Sequence, residues 1–77
     1  EERFDYILAH INRNILLNDI PQFAAHLKPE GKLLLSGFYT ADADILIAKA
    51  KENGLELKAK NEDNDWCMLL FTNSTNE

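Results

Sequence analysis

Cysteine is almost missing from this 77-residue chain: Cys67 stands alone, so no disulfide can close within it, and a reducing, cytoplasmic compartment is expected. Histidine stops at His10 and His26, with no paired metal-ligand spacing around either. Glycine occurs three times, at Gly31, Gly37 and Gly54, and never in the clustered form of a phosphate-cradling loop. No apolar run approaches the roughly 18 residues of a membrane span. No basic segment precedes an apolar stretch at the N-terminus, so no signal peptide is visible. Positive charge is also scarce. The net charge of −5 argues against nonspecific nucleic-acid binding, which wants a basic face. A chain this short makes one small domain with a modest core, marginal unless stapled or associated. It begins without methionine, a few residues before a strand, and reads as a segment of a longer protein.

What is present is organised around Arg3–Asn14, RFDYILAHINRN. Phe4, Tyr6, Ile7, Leu8, Ala9 and Ile11 form a nearly continuous apolar run, the pattern of a strand covered on both faces in a parallel sheet. Ligands of open α/β sheets collect outside the carboxyl ends of such strands. His10, Asn12, Arg13 and Asn14 sit at that end. Asn12 and Asn14 each offer an acceptor and a donor without charge. Either they cap the helix that follows, or they hold a neutral amine with its lone pair free. Arg13 either binds an anion or is simply solvated.

Downstream, Leu16, Ile20, Phe23, Ala24 and Leu27 fall at helical spacing. Pro21 inside that run predicts a short segment near Asn14–Asn18 and a second begun by Asp19, with one kinked helix as the alternative. Lys28-Pro29-Glu30-Gly31 is a stop-and-turn signal, with Gly31 free to take positive φ. Lys32–Ser36 predicts a second buried strand, followed by Gly37 and a strand end at Phe38-Tyr39. Thr40 is the expected N-cap of a helix that buries Ala43, Leu46, Ile47 and Ala50, with Asp42 and Asp44 near its positive end and Gly54 just past it. Leu55, Leu57 and Ala59 alternate with charged residues as a strand buried on one face. Asn61–Asp65 is a polar turn, Trp66–Phe71 a final buried strand, and the polar residues after Phe71 a frayed tail. The predicted order is strand–helix–strand–helix–strand–strand, an α/β domain over residues 1–77 whose last two strands form an antiparallel hairpin.

Self-contained catalytic motifs are missing. His26 reads as a surface or boundary residue and Cys67 as a buried, inert thiol. Asp42 and Asp44 are better explained by the helix dipole than by acid–base chemistry. Trp66 reads as packing rather than as a stacking platform.

Taken in order, FDYILAHINRNILL, HLKPEGKLLLSGFY, the helix ending in ENGLEL and the strand DWCMLLF resemble the carboxyl-terminal end of a bacterial enzyme family. Its members are class I methyltransferases that use S-adenosylmethionine to methylate ribosomal large-subunit protein eleven. The likeness runs over Arg3–Phe71. It implies a partial Rossmann-like sheet, strands four to seven of seven, with the seventh antiparallel and inserted between the fifth and sixth. It places the glycine-rich cofactor loop and the substrate-recognition domain outside these residues. The family's Ala-Asn-Ile triplet at the fourth strand end is Ala9-His10-Ile11 here, so His10 stands where the family has asparagine. The resemblance implies catalytic positioning by His10 and Asn12, and cofactor contact by Ala9 and His10. It implies S-adenosylmethionine as cofactor of the parent protein, a ribosomal large-subunit protein as its partner, and no activity for the isolated piece. Two other readings stay open: a nonenzymatic module that self-associates through an exposed first-strand edge, and another amine methyltransferase of the same fold.

Overall fold

Asn12 starts the first helix: its backbone is extended and its Oδ1 accepts the Ile15 N–H at 3.1 Å, satisfying a donor that the helix itself cannot. In the computed structural model, which describes residues 2–74, the elements are β1 (Phe4–His10), α1 (Arg13–Ala25), β2 (Leu27–Tyr39), a 3-10 turn (Thr40–Asp42), α2 (Ala43–Glu52), β3 (Leu55–Asp63) and β4 (Trp66–Asn73). Pro21 does not divide α1, which runs unbroken through it, so the two-segment expectation gives way to a single helix. The proline costs one backbone hydrogen bond, and burial of Leu16 and Ile20 on the same helix outweighs that loss.

The four strands form one sheet in the order β1-β2-β4-β3, with β1 and β2 parallel and β4 antiparallel to both its neighbours. This is the predicted element order, with the last strand inserted between the second and third. Because side chains alternate across a sheet, cross-strand partners share a face. The row Ile7–Leu33–Phe71–Leu57 and the neighbouring Ala9–Leu35–Leu69 lie under the helices. Leu16 and Ile20 of α1 and Ala43, Leu46 and Ala50 of α2 close the core against them.

The opposite face carries no helix among the described residues. Tyr6 is 72% and Leu8 75% exposed there, beside Leu34, Leu70 and the exposed Met68. The expectation that β1 is covered on both faces is therefore corrected. Among the described residues its apolar run is a strand at the sheet edge, buried at Ala9 and half-buried at Ile7, with its other row bare. The final strand is corrected likewise: Cys67, Leu69 and Phe71 are buried while Trp66 and Met68 look outward.

Local backbone chemistry explains the remaining differences. β2 reaches from Leu27 to Tyr39, well beyond Lys32–Ser36, and Lys28–Gly31 is an excursion within it between the pairs Phe4↔Leu27 and Tyr6↔Lys32. The positive φ falls on Glu30 (69°), not Gly31. Glycine is needed at 31 for space, since a Cβ there would stand 2.8 Å from the Lys28 carbonyl oxygen. β3 gains one residue opposite β4 between Leu57 and Ala59, which turns Ala59 to the open face and exposes it. The expected Asn61–Asp65 turn shrinks to its last two residues, with Asn64 at φ 59°, because Asn61–Asp63 stay paired in β3. Thr40 is not the helix N-cap; Asp42 holds that position, without a side-chain cap bond. The expected frayed tail also begins later. Thr72 and Asn73 are buried in β4, donating to the Gly31 carbonyl at 3.2 Å and the Leu27 carbonyl at 2.8 Å. Residues 75–77 of that expectation lie outside the described residues.

Candidate functional site

Parallel strands β1 and β2 run toward the same side of the sheet, and the last side chain of β1 meets one near the end of β2 there. His10 pairs with Ser36 in register, and His10 Nδ1 lies 2.8 Å from Ser36 Oγ in a hydrogen bond. Immediately after Ser36, β2 bulges: Leu35 pairs with Leu69 and Phe38 with Cys67, so β2 spends one residue more than β4. That arrangement turns Leu35 and Phe38 both into the core while Ser36 stays on the open face. Gly37 makes it possible. Its φ is +89°, and a Cβ there would stand 3.1 Å from both the N and the O of Ile11. The β1 elbow thus packs directly on the Gly37 backbone.

A cavity of about 410 Å³ opens over these strand ends, floored by His10, Ser36 and Gly37 and walled by the β3–β4 hairpin through Asn61, Asp63, Trp66 and Met68. The hairpin is tied to the end of β2. Tyr39 and Trp66 stack with ring centroids 4.6 Å apart and planes 23° off parallel. The Thr40 N–H donates to the Asp65 carbonyl at 2.6 Å, and the Thr40 hydroxyl to the Trp66 carbonyl at 3.4 Å. Trp66 is half-exposed and part of the site wall.

The second predicted residue, Asn12, lines a neighbouring hollow of about 340 Å³ together with Arg13, Asn14, Tyr39 and Asp42. Gly37 and Trp66 border both spaces. His10 and Asn12 therefore stand on adjoining sides of one elbow rather than in one pocket. The carbonyl oxygen of Asn12 is occupied by the helix cap, which leaves its amide N–H₂ for a ligand. Arg13 Nη1 donates to Asp42 Oδ1 at 3.5 Å, bridging the β1–α1 and β2–α2 connections, while its Nε is buried without a hydrogen-bond partner. Asp42 is thus an anchor for Arg13 as well as a dipole partner. Ala9, at 8% exposure, faces the helices and the core, on the opposite side of the sheet from His10, and its side chain lines neither hollow.

Sequence reasoning missed Ser36, Gly37 as a contact, and the hairpin wall. The G-F-Y stretch held a signal for the second, since a lone glycine inside a strand pattern marks a bulge or close approach. Nothing local pointed to Ser36, which acquires its partner only through strand register. Burial raises the Cys67 thiol pKa, opposed by nearby Lys60, and Cys67 borders the cavity from β4. Among the described residues no cluster of three or more metal-ligating side chains occurs, and no helix is long and apolar enough to cross a membrane.

Comparison with known proteins gives one consistent result. The sequence profile of the family described as ribosomal protein L11 methyltransferase (PrmA) matches residues 1–74. A protein named ribosomal protein L11 methyltransferase from Bacteroides thetaiotaomicron is 45% identical over 69 residues, covering 90% of this chain and 25% of its own length. Its namesake from Porphyromonas gingivalis is 49% identical over 69 residues, covering 90% and 24%. The crystal structure of ribosomal protein L11 methylase from Lactobacillus delbrueckii subsp. bulgaricus superposes with a TM-score of 0.90 at 28% identity, over 97% of this chain and 39% of that one. A methyltransferase from Pyrococcus furiosus, at 19% identity and TM-score 0.77, shares the fold over 97% of this chain and 43% of its own. The chain spans about a quarter of the length of the curated relatives it matches.

Proposed function

This chain belongs to the ribosomal protein L11 methyltransferase family, and we propose that it is the carboxyl-terminal portion of an enzyme that transfers methyl groups from S-adenosylmethionine to amino groups of that ribosomal protein in the cytoplasm. The observation that carries this reading is the superposition of nearly the whole chain on an L11 methylase at a TM-score of 0.90.

The described residues fit one flank of that cofactor. The half-buried Ile11 and the glycine at 37, which borders the cavity, give a compact strand end that the buried Ala9 supports from beneath. A glycine-rich turn that would grip the rest of the molecule is not among them. When bound in the complete enzyme, the cofactor supplies an electrophilic methyl group on a sulfonium. The part played by this chain is alignment and exclusion of water. An acceptor amine must arrive neutral, because its lone pair forms the new carbon–nitrogen bond, so its N–H groups are what the protein can hold. His10 at the cavity floor is the group assigned to the acceptor amine, and Asn12, whose free amide N–H₂ can only donate, is assigned to a carbonyl oxygen of the substrate beside it. The Ala9 backbone and His10 are assigned to the cofactor flank. Trp66 and Tyr39 shield the elbow from the side of the hairpin.

Half a site does not turn over. The isolated 77 residues bind S-adenosylmethionine no tighter than millimolar in calorimetric titration; micromolar affinity overturns the reading. The complete protein carrying this segment transfers labelled methyl from S-adenosylmethionine to the purified ribosomal protein, and failure to do so removes the assigned substrate.

A second reading rests on the edge position of β1. Its paired backbone side faces β2, no strand among the described residues pairs with its other side, and Tyr6 and Leu8 are bare. An apolar edge of this kind adds strands from other chains. The isolated chain therefore self-associates, and Leu8→Lys lowers the association. Sedimentation equilibrium that shows a monomer at high concentration removes this reading.

A further inference from the structure

We propose that Ser36 is a positioning residue that fixes the tautomer of His10, so that Nδ1 carries the proton and Nε2 is left as a hydrogen-bond acceptor for the acceptor amine at the cavity floor. The inference rests on the methyl-transfer reading for the identity of its ligand, and on geometry for everything else.

The two side chains come from neighbouring parallel strands at matched register, and their contact of 2.8 Å engages Nδ1. Among the described residues Nε2 has no hydrogen-bond partner. A neutral imidazole has one N–H donor and one bare acceptor nitrogen, and the bond made at one nitrogen sets the state of the other. Two arrangements are open to the pair. If the Ser36 hydroxyl donates to Nδ1, Nε2 carries hydrogen and can only donate. If Nδ1–H donates to Ser36 Oγ, Nε2 accepts.

The chemistry of an attacking amine chooses between them. A donor aimed at the amine would occupy the lone pair that must reach the methyl carbon. An acceptor takes one N–H and leaves the lone pair free. Once the carbon–nitrogen bond forms and the carbon–sulfur bond breaks, the amine nitrogen becomes a positively charged ammonium and the sulfonium a neutral thioether. The ammonium carries the charge away with the product or loses one proton to water through the open cavity, and the imidazole stays neutral throughout. Electrons and protons balance with no further reactant.

The second histidine supplies an internal standard. His26 Nδ1 lies 2.9 Å from the Gln22 carbonyl oxygen, which can only accept, so His26 carries its proton on Nδ1 when neutral. The test is nitrogen-15 NMR of the histidine-labelled 77-residue chain at alkaline pH, where imidazoles are neutral, with His10→Gln to assign the signals. His10 is expected to show the same Nδ1–H pattern as His26. Ser36→Ala is expected to lose that pattern at His10 alone, and Ser36→Thr to keep it; backbone spectra report that each variant remains folded. An Nε2–H pattern at His10 in the parent chain, or an unchanged pattern in Ser36→Ala, overturns the proposal.

In the complete enzyme, Ser36→Ala is expected to lower kcat/KM for the acceptor about tenfold, the scale of one hydrogen bond, with Ser36→Thr restoring it. Full activity in Ser36→Ala also overturns the proposal. An enzyme that methylates no amine defeats the methyl-transfer reading and, with it, the amine as ligand. The NMR result then separately decides whether Ser36 sets the tautomer of His10.

Discussion

Replacing Gly37 by alanine is the sharpest single perturbation of this molecule, because one methyl group challenges the bulge, the core and the cavity floor together. The first cost is conformational. An L residue held at φ +89° is in the left-handed half of the map, at about 1–2 kcal/mol. The second is steric: the new Cβ would sit 3.1 Å from Ile11 N and O and 3.3 Å from His10 C, and all three are backbone atoms that cannot swing aside. The elbow must therefore retreat by a few tenths of an ångström, bringing the total to about 2–3 kcal/mol, the upper part of the range for a strained site. A small domain of this size has about 4–11 kcal/mol in all at usual per-residue stabilities. The change is thus a sizeable fraction of the whole and lowers Tm by about 10–20 °C. Urea and thermal unfolding, followed by the fluorescence of Trp66, measure it directly. A loss below about 0.5 kcal/mol, the level of an ordinary surface substitution, would refute the account of Gly37 as the residue that joins β2 to the elbow.

Asn12→Ala removes the α1 cap and is expected to cost about 1 kcal/mol, whereas Asn12→Asp retains the cap and favours the helix dipole; chemical denaturation of the pair separates capping from any loss of acceptor binding in the complete enzyme. Leu46→Ala empties a fully buried position between α2 and the sheet and is expected to cost about 2–5 kcal/mol, visible as a lower urea midpoint with an unchanged slope. Cys67 holds its proton to higher pH when folded than when unfolded, because burial raises its pKa above the ordinary 9.0. Between those two values the unfolded chain has released a proton that the folded one keeps, so stability contributed by the neutral thiol is complete below about pH 9 and declines as pH rises through the folded value. Cys67→Ala flattens that alkaline decline, and thermal unfolding across the range from neutral to alkaline pH checks it.

Much of this architecture was legible in the residues. The helical spacing of Leu16 and Ile20, the buried face of α2 and the stop at Gly54 are local patterns, and each element they specify occurs. The order of elements and the closing hairpin follow from the same reading. Local pattern failed where two costs compete. Pro21 argues for a break, but the burial of Leu16 and Ile20 holds α1 together across it. Alternation along Leu55–Ala59 points Ala59 inward, but an extra residue opposite β4 reverses it. Hydropathy also could not say how many faces of β1 are covered, since Tyr6 and Leu8 look the same in sequence whether a second helix layer lies over them or not.

The site divides along the same line. The sequence by itself determined that a polar elbow follows an apolar strand, that Asn12 can cap, and that His10 stands at the strand end, because these depend on neighbours in the chain. Only the tertiary structure decided that His10 meets Ser36, that Gly37 lies against Ile11, and that the β3–β4 hairpin walls the cavity. Those contacts join residues 26 or more positions apart. They exist because strand register and one bulge bring them together, and register is a property of the whole sheet that no single segment encodes.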